Sequence, residues 1–405
     1  MNGHIYDFDT IYDRVPTYAK KWHPSSLEPI FGSGDVLPLW IADMDFAAPP
    51  EVVAALRERT EHPVFGYTMR SPAFFESVAA WTERRYGWEI HPDWIVPCPG
   101  VVPGIALTIR AFTLPGEGVV IQSPVYPPFF ESINKNNRVT TVNRLVEKNG
   151  TWEMDLDDLE RCLGENASLL LSCSPHNPVG RVWKRAELEA MAERALRSGT
   201  LLVSDEIHAD IVFRGHAHLP LASLAPEVAA RTVTLLAPSK TFNIAGLQTF
   251  LAIIPDPDLR RAFRNELESL HLEGGNLFGM LALEIAYGKG EPWLEALLAY
   301  LEDNLDFLGN FLRDRLPSVG YVRPEGTYVA WLDFRALGLA PEELQRFLVH
   351  EARLALNAGT SFGPGGEGFA RLNFACPRTL LSEALTRLAD AVFRLEGRRC
   401  CPTEA

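Results

Sequence analysis

Cysteine is scarce and shows no pairing pattern. The chain of 405 residues has six: Cys98, Cys162, Cys173, Cys376, Cys400 and Cys401, with no C-x-x-C spacing among them. Scattered thiols with mostly apolar flanks argue against a disulfide framework and suit a reducing compartment. An excess of basic residues is missing too. Lys and Arg number 38 against 52 Asp and Glu, a net charge of −14. A diffuse negative balance repels nucleic acid and anionic membrane, so neither is expected as a partner. No run approaches the roughly 18 consecutive apolar residues of a membrane span. The opening MNGHIYDFDT lacks a basic n-region and an apolar h-region, so no signal peptide is expected there. Internal repeats and low-complexity linkers are absent as well. What remains is ordinary globular composition, 47% hydrophobic and 22% charged. The expectation is a soluble, cytoplasmic protein with chain enough for one large core and a smaller second one.

Patterning divides the chain. Residues 1–48 are rich in aromatics and proline, show little periodicity and read as an extended N-terminal arm that joins a smaller domain. PPEVVAALRERTE then has a proline start and helical spacing at Val52, Val53 and Leu56. From about 118 to 255 short apolar runs alternate with helical stretches. GVVIQSP, SLLLSCS, TLLVSD, TVTLLAPSK and QTFLAIIP read as strands, and RAELEAMAERALRSG as an amphipathic helix closed by Ser198–Gly199. Nearly continuous apolar strands imply a mostly parallel sheet covered by helices on both faces. The expected fold class is α/β, with a large domain over 49–290. A smaller α+β domain over 291–405 contains the helical PEELQRFLVHEARL and the strands TYVAWLDF and FARLNFA.

Ligands bind beyond the carboxyl ends of parallel strands. The residues just past each strand are therefore informative: Tyr126 after VVIQ, Asn177 after LLLSC, Asp205 and His208 after LLV, and Ser239 and Lys240 after TLLAP. Each alone has a plain reading. A lysine is usually solvated, Asp205 suits a helix cap, Asn177–Pro178 with Gly180 is a turn signal, and Tyr126 stands among prolines. Together, an amine, a carboxylate, an amide and an aromatic at equivalent strand ends match what pyridoxal 5'-phosphate needs. The amine forms a Schiff base and the carboxylate keeps the ring nitrogen protonated. PCPGVVPGIAL offers a phosphate cup, in which Gly100 allows close approach and Val101 and Val102 present backbone amides as a helix begins. His208, Asp210, His216 and His218 lie close in sequence, but 208 and 210 would face different ways on a helix and RGHAHLP reads as an exposed loop. No metal is expected.

The stretches LPLWIADMDF, PGVVPG, SPHNPVGRVW, SDEIH, APSKTFNIAGL and GFARLNFACPR together resemble the fold type I pyridoxal-phosphate enzymes. Within them they are most similar to the MalY/PatB-type C–S β-lyases, the cystathionine β-lyases and cystalysin-like enzymes, from about Leu37 to Arg378. The resemblance implies that Lys240 is the Schiff-base lysine and Asp205 the partner of the pyridine nitrogen. It implies that Asn177 and His208 lie near the phenolic oxygen, that Tyr126 stacks on the ring, and that Arg371 holds the substrate's α-carboxylate, with Asn177 also on the substrate. Tyr67, in FGYT, resembles a tyrosine that reaches the neighbouring subunit's cofactor phosphate, which implies a homodimer. Two positions depart from the pattern of aminotransferase relatives. Ala237 and Gln248 stand where those carry a serine and an arginine on the phosphate, which leaves Val101, Val102, Ser239 and the partner's tyrosine for that role.

The implied reaction is α,β-elimination on an S-substituted cysteine, a small amino-acid thioether such as cystathionine, giving thiol, pyruvate and ammonia. An aminotransferase shares every early step, and the bare set of residues does not choose between them. A regulator acting by partner binding is the third reading. In GEGFARLNFACPR, period-two alternation puts Arg371 on one face with Phe369 and Asn373, and the preceding SFGPGGEG is expected to let the segment close over a substrate.

Overall fold

The computed structural model describes residues 6–148, 150–164 and 166–400. Residues 1–5 of the opening stretch, and Cys401, lie outside them. In chain order the strands are β1 (Leu37–Pro38), β2 (Ile95–Cys98), β3 (Gly118–Ser123), β4 (Val139–Lys148), β5 (Thr151–Met154), β6 (Ala167–Cys173) and β7 (Leu201–Asp205). Then come β8 (Thr232–Leu236), β9 (Phe250–Ile253), β10 (Gly320–Tyr321), β11 (Val329–Asp333), β12 (Leu354–Ala355), β13 (Asn357–Ala358) and β14 (Phe369–Asn373). Eight of them form one sheet in the order β2-β9-β8-β7-β6-β3-β4-β5. From β8 to β4 the strands are parallel. β2, β9 and β5 pair antiparallel toward the two edges.

The apolar runs are continuous because both faces of this sheet are covered. Val119, Ile121, Leu169, Leu171 and Val203 pack with residues of the helices Val101–Phe112 and Pro257–Ser269. Their neighbours Val120, Leu170 and Leu202 pack the other way, with the helices Leu156–Leu163 and Arg185–Ser198. Each such side chain contributes on the order of 1.5–3 kcal/mol when fully buried. The helix Arg185–Ser198 buries Leu188, Met191, Ala192 and Ala195, one stripe at helical spacing. It ends where Gly199 turns left-handed (φ 74°) and its N–H returns to Ala195 and Leu196.

The smaller sheet runs β10-β11-β14-β13 and is antiparallel throughout. The arm is not extended along its whole length. Pro24–Phe31 is a helix, opened by the His23 side chain accepting the Ser25 N–H and closed by Gly32 at φ 72°. It buries only Leu27 and Phe31, too few positions to register as a period. The arm then pairs with the C-terminal region, since β1 lies parallel to β12 with Leu37 opposite Leu354. Beyond it, residues 40–46 run without regular structure between the two sheets.

The turn after β6 is held by Gly180. Its carbonyl accepts the N–H groups of Glu325 and Gly326, at 2.8 and 3.0 Å. Its φ is +74°, and a Cβ there would lie 2.3 Å from the Pro324 Cβ. Gly180→Ala is expected to destabilise the fold by about 2 kcal/mol or more through backbone strain plus the clash. The check is urea unfolding, in which the midpoint should fall while the slope stays unchanged.

Candidate active site

Because β8, β7, β6 and β3 are parallel neighbours, the residues beyond their carboxyl ends share one crevice. β8 leads into the helical turn Pro238–Thr241, which carries Ser239 and Lys240. β7 ends on Asp205 and turns through His208; β6 leads to Asn177 and β3 to Tyr126. The structure thus brings these residues together, and Arg371 joins them from β14 in the second sheet. β9 runs the opposite way, so its start, after Gln248 and Thr249, and not its carboxyl end, lies at this end of the sheet.

Asp205 is buried, and its Oδ1 accepts the Ile207 N–H at 3.2 Å. The capping role open to it is therefore met, and the residue still faces the crevice charges. Burial pushes its carboxyl up to about 7; the Ile207 bond opposes this, Glu206 adds to it and Lys240 opposes it. Lys240 is partly buried and donates from Nζ to the Ala42 carbonyl at 2.5 Å. Burial pulls this amine down to about 8, Asp43 and Asp205 pulling back and Arg371 adding to the fall. His208 is buried with its ring edge-on to Tyr328, and its Nδ1 has no partner. Burial first, then the charges of Lys240 and Arg371, hold the imidazole down to about 3, so it is neutral. Burial likewise raises the Tyr126 phenol, with Arg371 opposing and Asp205 adding.

Arg371 is 4% exposed, which removes the ordinary reading of a surface arginine. Its Nη1 donates to Asn177 Oδ1 at 3.0 Å, and Nη2 to the Trp40 carbonyl and Asn357 Oδ1, both at 2.7 Å. The guanidinium lies 5.0 Å over the Phe362 ring, and Nε has no partner. Every acceptor is neutral, and burial draws the group down to about 10. A buried guanidinium without a counter-ion is suited to an incoming carboxylate.

Val101 and Val102 open the helix Val101–Phe112 behind an extended Gly100 (φ 174°) that brings no side-chain cap. The first-turn amides there have no side chain to satisfy them, the arrangement that accepts an anion. Tyr67 is not brought to the crevice. Its side chain is fully exposed on the loop 62–71, beside exposed Val64, Phe65 and Met69. The glycine-rich loop is tied to the end of β3: Ser123 Oγ donates to the carbonyls of Phe362 and Pro364, at 3.3 and 2.8 Å, and Val125 N–H donates to the Phe362 carbonyl at 3.0 Å. One expectation is corrected: RGHAHLP is only partly exposed, because His218 is buried with Nε2 2.9 Å from Glu206 Oε2. Among the described residues no group of three His, Cys, Asp or Glu side chains is placed to hold a metal ion.

Sequence reasoning missed the side chains that hold the arm at the site. Asn373 Nδ2 donates to the carbonyls of Ile41 and Asp43, at 2.7 and 2.9 Å. Asn243 bonds both Met44 backbone groups and the Phe46 carbonyl. Tyr328 donates to the Ala42 carbonyl at 2.9 Å. One signal was available: Asn373 shares a strand face with Arg371.

The family model described as aminotransferase class I and II matches residues 34–388. The chain is 43% identical over 387 residues to cystathionine beta-lyase PatB of Bacillus subtilis, covering 95% of this chain and 100% of that protein. It is 34% identical over 391 residues to protein MalY of Escherichia coli, covering 96% and 99%. Among solved structures, cystalysin from Treponema denticola, which contains a pyridoxal 5'-phosphate cofactor, superposes with a TM-score of 0.93 at 38% identity, covering 96% of this chain and 100% of that one.

The raised Asp205 carboxyl has a stability consequence. Its folded value, about 7, lies above the unfolded value near 3.8, so the folded chain binds the extra proton between them. Stability is therefore lost as pH rises from about 4 through 7. Without cofactor, Asp205→Asn is expected to stabilise the fold at pH 8 by ~1 kcal/mol or more, discounted for the opposing Lys240 charge, and so to raise the thermal midpoint. The gain should shrink as pH falls toward 4. Thermal scans of both proteins across that range test it, and a gain that grows at acid pH contradicts it.

Proposed function

We propose, since the chain belongs to the aminotransferase class I and II family, that it is a pyridoxal-phosphate-dependent C–S β-lyase that cleaves small amino-acid thioethers. The observation that carries this reading is Arg371, a buried guanidinium with neutral partners only, in one crevice with Lys240 and Asp205. Together they offer a site for a carboxylate next to a reactive amine. The choice of lyase rests on the relatives named cystathionine beta-lyase and on cystalysin.

The residues fit the cofactor. An uncapped helix start at Val101 and Val102 suits its phosphate, with Ser239 nearby on the β8 turn. The unpartnered Nδ1 of neutral His208, with Asn177, suits its phenolic oxygen. Tyr126 supplies an aromatic face. When bound, pyridoxal phosphate supplies an aldehyde for Lys240 or the substrate amine, and a ring that accepts the electron pair left at Cα. Asp205 then holds the proton on the ring nitrogen, and that positive partner restores the charge that burial alone disfavours. Arg371 grips the α-carboxylate and stands the Cα–H bond toward Lys240. The Lys240 amine, whose proton burial loosens, takes the Cα proton once it is free and neutral. The Cβ–S bond breaks with its electron pair leaving on sulfur, which takes up a proton as the thiol; the three-carbon enamine left behind takes up water and yields pyruvate and ammonia.

Purified protein supplied with pyridoxal phosphate and cystathionine, with no keto acid, should release pyruvate and thiol together. Turnover that requires a keto acid and yields no pyruvate would replace the lyase with an aminotransferase. Arg371→Lys should leave the cofactor's absorbance in place and lower kcat/KM by ~10²-fold, because lysine keeps the charge and loses the fork.

The exposed Tyr67, with Val64, Phe65 and Met69 around it, is read as reaching the cofactor phosphate of a second copy in a homodimer. Mixing Lys240→Ala chains with inactive Tyr67→Ala chains should restore activity, since each mixed dimer then carries one intact site. No recovery after demonstrated subunit exchange removes Tyr67 from the partner's site.

A further inference from the structure

One carboxylate beside the amine has no part in the proposed elimination. Lys240 Nζ donates to the Ala42 carbonyl, the last peptide group before Asp43, and Tyr328 donates to the same oxygen. The backbone at Asp43 cannot drift. Its carbonyl accepts Lys21 Nζ and Asn373 Nδ2, both at 2.9 Å, and Asn243 holds the next residue on both sides. The Asp43 side chain pairs through Oδ2 with Arg14, at 2.6 Å. Arg14 also reaches Asp45 at 2.8 Å, but Asp45 has buried Lys21 at 2.6 Å and Trp22 Nε1 at 2.7 Å as well. Removing Arg14 therefore leaves Asp45 paired and frees Asp43.

We propose that Asp43 is a positioning residue that tunes the proton balance of the Lys240 amine from the arm, with Arg14 as its counterweight. The other groups facing the amine are Asp205 beyond β7, His208 in the following turn, Tyr328 before β11 and Arg371 on β14. Asp43 follows the peptide group that the amine bonds, and it and Asp205 both favour the protonated form. The arm thus carries a counter-charge to the lysine, and a displaced arm would leave the amine holding its proton less tightly. The consequence for catalysis rests on Lys240 being the proton acceptor of the proposed lyase reaction. The measurement does not.

The test uses the full chain without added cofactor. A water-soluble acylating reagent modifies neutral amines, and mass spectrometry of the peptide carrying residue 240 gives its modification rate across pH. Asp43→Asn should lower the inflection by roughly 0.5–1 unit, and Arg14→Gln should raise it by a similar amount, an opposite charge at short range favouring the protonated form. A role in holding the arm alone would not move the two variants in opposite directions. Equal inflections, or shifts of the same sign, overturn the proposal. If one variant does not fold, a null or reversed shift in the other overturns it alone. Opposite shifts in a protein that fails to cleave cystathionine would uphold Asp43 and remove the lyase.

Discussion

Residues 40–46 belong to no helix and no strand, yet most of them are buried. Their carbonyls have no ladder to join, and side chains satisfy most of them. Arg371 takes the Trp40 carbonyl, Asn373 those of Ile41 and Asp43, Tyr328 and Lys240 that of Ala42, and Asn243 those of Met44 and Phe46. These partners come from beyond the larger sheet and from the smaller one, so the stretch is one of the places where the two parts of the molecule meet. Each bond contributes only about 0.5–1.5 kcal/mol net, but an orphaned buried group costs about 1–3. The buried pair of Lys21 and Asp45 anchors the stretch from beneath. Removing one member of such a pair costs on the order of 3–5 kcal/mol.

The crevice gathers an amine, a carboxylate, an imidazole and a guanidinium away from water. Burial drives each of them toward its neutral form, the carboxyl upward and the three bases downward. A ring cation beside Asp205 and a carboxylate beside Arg371 would supply what each lacks. The site holds its groups in unfavourable surroundings until a ligand of complementary charge arrives, the arrangement expected where local consistency gives way to function.

How much of this was legible depends on the kind of signal. Strands buried on both faces write themselves as apolar runs, and the polar residues that follow each run mark the crevice. Tyr126, Asn177, Asp205, His208 and Lys240 were found that way. Arg371 came from the family resemblance, and alternation gave only its face, with Ala370 and Leu372 turned to the core on the other side of β14. Side chains whose task is to hold backbone leave no such mark. Nothing in the pattern separates buried Lys21, an unexposed lysine, from a solvated one. Asn243, with φ at 53°, reads as any turn asparagine. The helix Pro24–Phe31 escaped because two buried positions make no period, and the burial of His218 depends on Glu206, a contact made only in the fold.

The pairing of β1 with β12 joins segments from opposite ends of the chain. During synthesis the sheet that carries Asp205 and Lys240 is complete while β12 and β14 are still unmade. The emerging polypeptide then has an amine and a carboxylate in place and no guanidinium beside them. Its arm has neither the β12 edge to lie against nor Asn373 to hold it. The guanidinium is thus the last of these groups to be synthesised, and a chain cut short before residue 354 lacks the arm's docking strand along with Arg371.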